Sequence, residues 1–106
     1  MSREFLSVAI WEPLPGMEAA SLVTLRELGE LVSSKGYGRD LLYRTADAKT
    51  ADAQYVLLRY WNSEESRQAS LEDPELLRRW ARLGNEIRIL KVYEKLEAVF
   101  SEPPKT

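Results

Sequence analysis

The chain has 106 residues, 44% of them hydrophobic and 30% charged, with a formal net charge of −2. That length fits one domain around one core. No apolar run is long enough to span a bilayer, and the slight acidity gives no electrostatic reason to bind nucleic acid.

There is no cysteine and no histidine. Disulfides and thiol nucleophiles are thereby excluded, as are the usual general base at neutral pH and the commonest ligands of haem iron and zinc. No metal site and no cofactor are expected. The N-terminal stretch has too short an apolar core for a signal peptide and carries Glu4 and Glu12 within it, so a cytoplasmic protein is expected.

Phe5 to Trp11 (FLSVAIW) has the apolar and β-branched content of a strand, and Glu12-Pro13-Leu14-Pro15-Gly16 forces a turn. From Met17 to about Ser34 the period becomes helical, with Met17, Ala20, Leu25, Leu28, Leu31 and Val32 on one face and Val23 on the polar side. Lys35-Gly36 ends this helix. Tyr37 to Thr45 reads as a second strand. The polar, small-residue run from Ala46 to Ala53 reads as a mobile hairpin loop leading to a third strand, Tyr55–Trp61. That third strand is apolar except at Arg59, so both its faces should be covered, as in a central strand.

Asn62 with Glu65 reads as a capping box opening a helix that runs to about Leu71. Asp73-Pro74-Glu75 restarts it with a fresh N-cap and a proline at the first helical position. The second piece is expected to bury Leu76, Leu77, Trp80, Ala81 and Leu83, with Arg78, Arg79 and Arg82 as a solvated face. Glu86 to about Phe100 is the last strand, with a bend expected near Glu94–Glu97. The domain is expected to span residues 1–100, followed by a flexible tail over 101–106.

The order β-α-β-β-α-β predicts an α+β fold of the ferredoxin-like type: a four-stranded antiparallel sheet with helices on one face. The strands are apolar on both faces and two helices cover only one. A second copy of the sheet is the simplest cover for the other, so a homodimer through the sheet face is expected. An RNA-recognition domain shares the order, but its third strand carries glycine and exposed aromatics, and QYVLLRYW does not.

From Gln54 to Leu77 the chain resembles the antibiotic-biosynthesis-monooxygenase-like family of dimeric α+β barrels. The resemblance rests on the apolar strand ending in Tyr60-Trp61, the Asn62-Ser63-Glu64-Glu65 turn, and the short helix broken at Glu72-Asp73-Pro74. It implies a barrel closed by dimerisation, with a pocket between sheet and helices. Among the family's activities are cofactor-independent oxygenation of aromatic polyketide-like molecules and haem degradation. The chain departs from it where many members carry a histidine, a place Ser70 occupies, and Trp80 stands about where the haem-degrading branch has its axial ligand. The asparagine of that branch's first strand has no match near Ala9 and Ile10, and haem degradation is not expected.

On the third strand Tyr55, Leu57, Arg59 and Trp61 share one face, which under the resemblance lines the pocket. Arg59 could hold a phenolate, carboxylate or enolate, or pair structurally with Asp40 or Glu86. Tyr43 is taken with it as a catalytic candidate, one of several strand tyrosines able to donate a hydrogen bond. Trp61 and Trp80 could form an aromatic wall for a flat ligand, or ordinary core. Tyr55, Trp11 at the pocket mouth and Ser70 complete the candidate ligand-binding set. Two functions remain open: a cofactor-independent monooxygenase on a small aromatic or enolic molecule, and a non-catalytic homodimeric ligand-binding or interaction domain.

Overall fold

A computed structural model describes residues 5–46 and 53–99. Its elements are β1 (Phe5–Pro13), α1 (Glu18–Ser34), β2 (Gly38–Arg44), β3 (Tyr55–Trp61), α2 (Glu64–Leu71), α3 (Pro74–Leu83) and β4 (Ile87–Glu97). The four strands form one antiparallel sheet in the order β2-β3-β1-β4. This is the predicted ferredoxin-like α+β layout, with the second helix in two pieces. Most of the predicted loop over Ala46–Ala53 and the tail over 101–106 lie outside the described residues.

Alternation along β3 sorts the sheet into two faces. Tyr55, Leu57, Arg59 and Trp61 are all buried, whereas Val56, Leu58 and Tyr60 between them are half-buried. The cross-strand register adds Phe5, Ser7, Ala9 and Trp11 from β1 to the buried face, and Gly38, Asp40 and Leu42 from β2. α1 supplies Leu25, Leu28 and Val32 to the core beneath it, and α3 supplies Leu76 and Leu83. Gly38 is required at its place. A Cβ there would collide with the backbone carbonyl of Tyr60 on β3.

The helix after β3 starts one residue later than the sequence suggests. Ser63, not Asn62, is the N-cap, its hydroxyl accepting from the Ser66 amide at 3.0 Å. Asn62 is used instead to tie the start of β2: its side-chain amide donates to the Gly36 carbonyl at 2.7 Å and its backbone N–H to that of Tyr37. The cap at Asp73 is as expected, its Oδ1 accepting from the Glu75 and Leu76 amides. Asp73 Oδ2 also accepts from Lys35 at 2.8 Å and from the Tyr37 hydroxyl at 2.7 Å. These bonds fasten the break between α2 and α3 to the end of α1, and they hold the Asp73 carboxyl at about 2, well below the ordinary aspartate value.

α3 is rotated relative to its predicted face. Leu77 and Ala81 are exposed, and the buried line runs through Leu76 and Leu83 with Trp80 half-buried. Leu76 and Leu83 join the core, with Trp80 packed against it, while Arg79 and Arg82 lie at the margin of this face and reach Glu27 on α1 at 3.1 and 2.9 Å. α1 in turn buries Ser21 and Thr24 on its packed face. Their hydroxyls are satisfied by the carbonyls of Glu18 and Ala20 within the helix.

β4 is an edge strand, exposed from Arg88 onward. Its register against β1 shifts twice, between Ile10 and Trp11 and between Leu6 and Val8. The second shift falls beside Glu94, where the sequence suggests a bend. Because of the shift between Ile10 and Trp11, Ile89 and Val92 both lie on the helix side, opposite Trp11 and Ala9.

Candidate active site

Between α2, α3 and the β1–β4 side of the sheet lies a cavity of about 260 Å³. Arg59, Trp61, Trp80 and Ser7 line it, with Leu57, Leu71, Ile89 and Val92 as its hydrocarbon walls and Arg67 and Glu94 at one side. Each wall follows from the local structure. β3 ends in Arg59 and Trp61 on its buried face, α3 turns Trp80 inward, and the register shift between Ile10 and Trp11 aims two β4 aliphatics at the same space. Two wider grooves of about 770 Å³ lie between α1 and β2 and beside the Pro13–Gly16 turn. Neither of those brings aromatic faces to a buried donor.

Arg59 is 4% exposed. Its Nε and Nη2 donate to the two carboxylate oxygens of Asp40 at 2.7 and 2.8 Å, a bidentate pair across β2 and β3. Of the two structural partners considered from sequence, Asp40 is the one chosen. The guanidinium also lies 5.0 Å from the centre of the Trp80 ring and 5.7 Å from that of Trp61. An arginine has five N–H bonds, and those not given to Asp40 have no partner among the described residues. The pair therefore fixes the guanidinium between two indoles and leaves donors toward the cavity.

Ser7 was not anticipated. It stands directly opposite Arg59 in the β1–β3 register, its hydroxyl accepting from Trp61 Nε1 at 2.8 Å and donating to the Glu94 carbonyl. Trp61 is thereby locked in orientation. The signal in the sequence was a polar residue at an inward position of FLSVAIW, alternating with Phe5, Ala9 and Trp11. Arg67 and Glu94, paired at 3.7 Å at the side of the cavity, are likewise additions.

Other predicted site residues fall elsewhere. Tyr43 pairs with Val56 in register and sits on the opposite face of the sheet, 56% exposed. It cannot share a cavity with Arg59, because side chains alternate and Tyr43 lies an odd number of positions from Asp40. Tyr55 and Trp11 are core: their rings stack with centroids 4.5 Å apart. The Tyr55 hydroxyl donates to Glu18, and burial first, then that carboxylate, raises its pKa. Trp11 is 1% exposed, so it caps no mouth. Ser70 is buried behind α2, its hydroxyl bonded to the Arg67 carbonyl at 2.7 Å, and it does not line the cavity.

Among the described residues no group of histidine, cysteine or carboxylate side chains could hold a metal ion, and no helix is long and apolar enough to cross a membrane.

No protein-family model and no curated protein matches the chain. Solved structures do. A variant of SnoaB, a cofactor-independent oxygenase from Streptomyces nogalater, superposes with a TM-score of 0.82 over 97% of this chain and 100% of its own, at 18% identity. The chain has the fold of antibiotic biosynthesis monooxygenases. A Chloroflexus aurantiacus protein assigned by inference to that activity gives a TM-score of 0.72 at 18% identity, covering 94% of this chain and 97% of its own. A conserved Bacteroides thetaiotaomicron protein of unknown function gives 0.76 at 9% identity, over 92% and 100%. The cavity of this chain lies between the sheet and helices of that fold.

Proposed function

We propose that the chain is a cofactor-independent monooxygenase acting on a small aromatic or enolic molecule in the Arg59 cavity. The observation that carries this is the cavity itself: two indoles and a buried guanidinium with free N–H bonds enclose a mostly hydrocarbon space. Its size sits just below the range usual for drug-sized ligands, so one or two fused rings suit it. Arg59 stabilises the substrate anion, which arrives already ionised because no histidine is present to take its proton. The anion gives one electron to dioxygen, and the substrate radical and superoxide combine in a C–O bond. The resulting peroxide anion takes a proton from water, and the hydroperoxide then loses a proton from the same carbon and hydroxide from the O–O bond. A CH₂ has then become C=O, with one oxygen atom in the product and the other in water. The protein contributes orientation and a fixed cation.

The open sheet face supports a homodimer. Leu41, Tyr43, Tyr93 and Leu96 are exposed there beside half-buried Leu6, Val8, Ile10, Val56, Leu58 and Tyr60. No described helix covers them, and a contiguous apolar face of this kind favours burial against a second copy.

A second reading, a non-catalytic ligand-binding dimer, draws support from Asp40. It neutralises much of the Arg59 charge, and no tyrosine lines the cavity. Oxygen uptake with enolisable aryl ketones of one or two fused rings, such as 2-tetralone, separates the two. The oxygenase consumes one dioxygen per product carbonyl, and Arg59→Gln slows it by about 100-fold. Uptake no faster than without protein, or an unchanged rate in Arg59→Gln, overturns the oxygenase.

A further inference from the structure

The polar groups of the cavity are asymmetric in hydrogen-bonding capacity. The Ser7 proton is committed to the Glu94 carbonyl and one lone pair to Trp61 Nε1. A hydroxyl oxygen has two lone pairs, so Ser7 faces the cavity only as an acceptor. Arg59 can only donate. Directly opposed positions on antiparallel strands put Cβ atoms about 5 Å apart. Arg59 leans away from β1, toward Asp40 on β2, so its donors stand farther from Ser7 than that. Arg67 and Glu94 at the side of the cavity are paired with each other at 3.7 Å, and the remaining walls, Leu57, Leu71, Ile89 and Val92, offer no polar side chain.

We propose that Ser7 is a specificity-determining residue: with Arg59 it selects a planar aromatic monoanion bearing a free hydroxyl that is not adjacent to its anionic oxygen. The anionic group meets the free N–H bonds of Arg59 between the two indoles, and the hydroxyl donates to the remaining Ser7 lone pair. An ether or carbonyl oxygen in place of the hydroxyl would set two acceptors against each other, leaving Ser7 without its bond. A neighbouring pair of oxygens is too short to reach both groups. This rests on the cavity being the ligand site, as in the function proposed above, but not on any oxidation taking place there.

The test is binding of three stable probes near neutral pH, followed by tryptophan fluorescence and calorimetry: 3-hydroxybenzoate, 3-methoxybenzoate and benzoate. All three carry the same anionic group, and only the first can donate to Ser7. In the wild-type chain 3-hydroxybenzoate should bind about tenfold more tightly than either of the others, the worth of one well-placed hydrogen bond to a buried acceptor. 2-Hydroxybenzoate, whose hydroxyl is adjacent to the anion, should rank with benzoate. In Ser7→Ala the preference of 3-hydroxybenzoate over benzoate and 3-methoxybenzoate should fall to near unity, whatever loss of the Trp61 bond does to all three affinities alike. Equal affinity of the three acids, no binding of any of them, or a preference that survives Ser7→Ala would overturn the proposal. The wild-type ranking decides even where Ser7→Ala fails to fold. The expected ranking without oxygen uptake would remove the oxygenase and leave the specificity of Ser7 standing.

Discussion

Asp40 should be worth more to this fold than its place on an edge strand suggests. Its partner Arg59 is fixed on a central strand, with side chains 5% and 11% exposed for Arg59 and Asp40 respectively. Asp40→Ala leaves a guanidinium among Leu57, Trp61 and Trp80 with its bidentate acceptor gone. Removing one member of a buried pair typically costs about 3–5 kcal/mol, because the other charge stays desolvated. Here the cavity lets water reach part of the guanidinium, so the lower end, about 3 kcal/mol, is expected. For a domain of this size that lowers Tm by roughly 12–15 °C. Arg59→Met should cost less, since Asp40 also borders the open groove between α1 and β2 and can be hydrated there. The double variant Asp40→Leu/Arg59→Met should recover most of the loss, two apolar groups replacing two charges. Urea unfolding followed by tryptophan fluorescence, analysed as a double-mutant cycle, measures each term. A cost below about 1 kcal/mol for Asp40→Ala, typical of exposed pairs, would refute the argument and show the guanidinium to be solvated without its partner.

Three other substitutions or conditions follow from the same packing. Gly38→Ala should prevent β2 from pairing with the end of β3, since its Cβ meets the Tyr60 carbonyl; circular dichroism should show a molecule that is unfolded or has lost cooperative melting. Trp11→Phe should cost no more than about 1 kcal/mol by denaturant titration, against about 3–5 for Trp11→Ala. The Trp11 indole N–H is buried without a partner among the described residues, and removing an unsatisfied donor offsets part of the lost area. Acidification should weaken the fold through Asp73. Its carboxyl titrates at about 2 in the folded chain against 3.8 ordinarily, so its stabilisation is complete above about pH 4 and is lost as pH falls toward 2. Asp73→Asn should remove that part of the acid sensitivity, and an unchanged acid midpoint would contradict it.

Much of the frame was legible in local pattern. The order of elements, the break at Asp73-Pro74 and the inward set Tyr55, Leu57, Arg59 and Trp61 all follow from periodicity and capping, which depend on neighbours in sequence. That Arg59 needed a partner was equally legible, since no arginine is buried unpaired. The site beyond β3 was not. Tyr43 looked equivalent to the other tyrosines until the β2–β3 register placed Asp40 and Leu42, and not Tyr43, beside the inward residues. Leu77 and Ala81 fitted a buried stripe as well as Leu76 and Leu83 did, and only the packing of α3 onto the core chose between them.

The sequence by itself determined a four-stranded α+β domain with an arginine and two tryptophans near one strand end. Spacing along a chain is enough for that, because strands and helices present their faces at fixed periods. Only the tertiary structure decided what the arginine does. Pairing across β2 and β3 gives two of its N–H bonds to Asp40, pairing across β1 and β3 sets Ser7 against it, and a register shift of β4 lines the space with Ile89 and Val92. Those relations join residues tens of positions apart, and no local period encodes them.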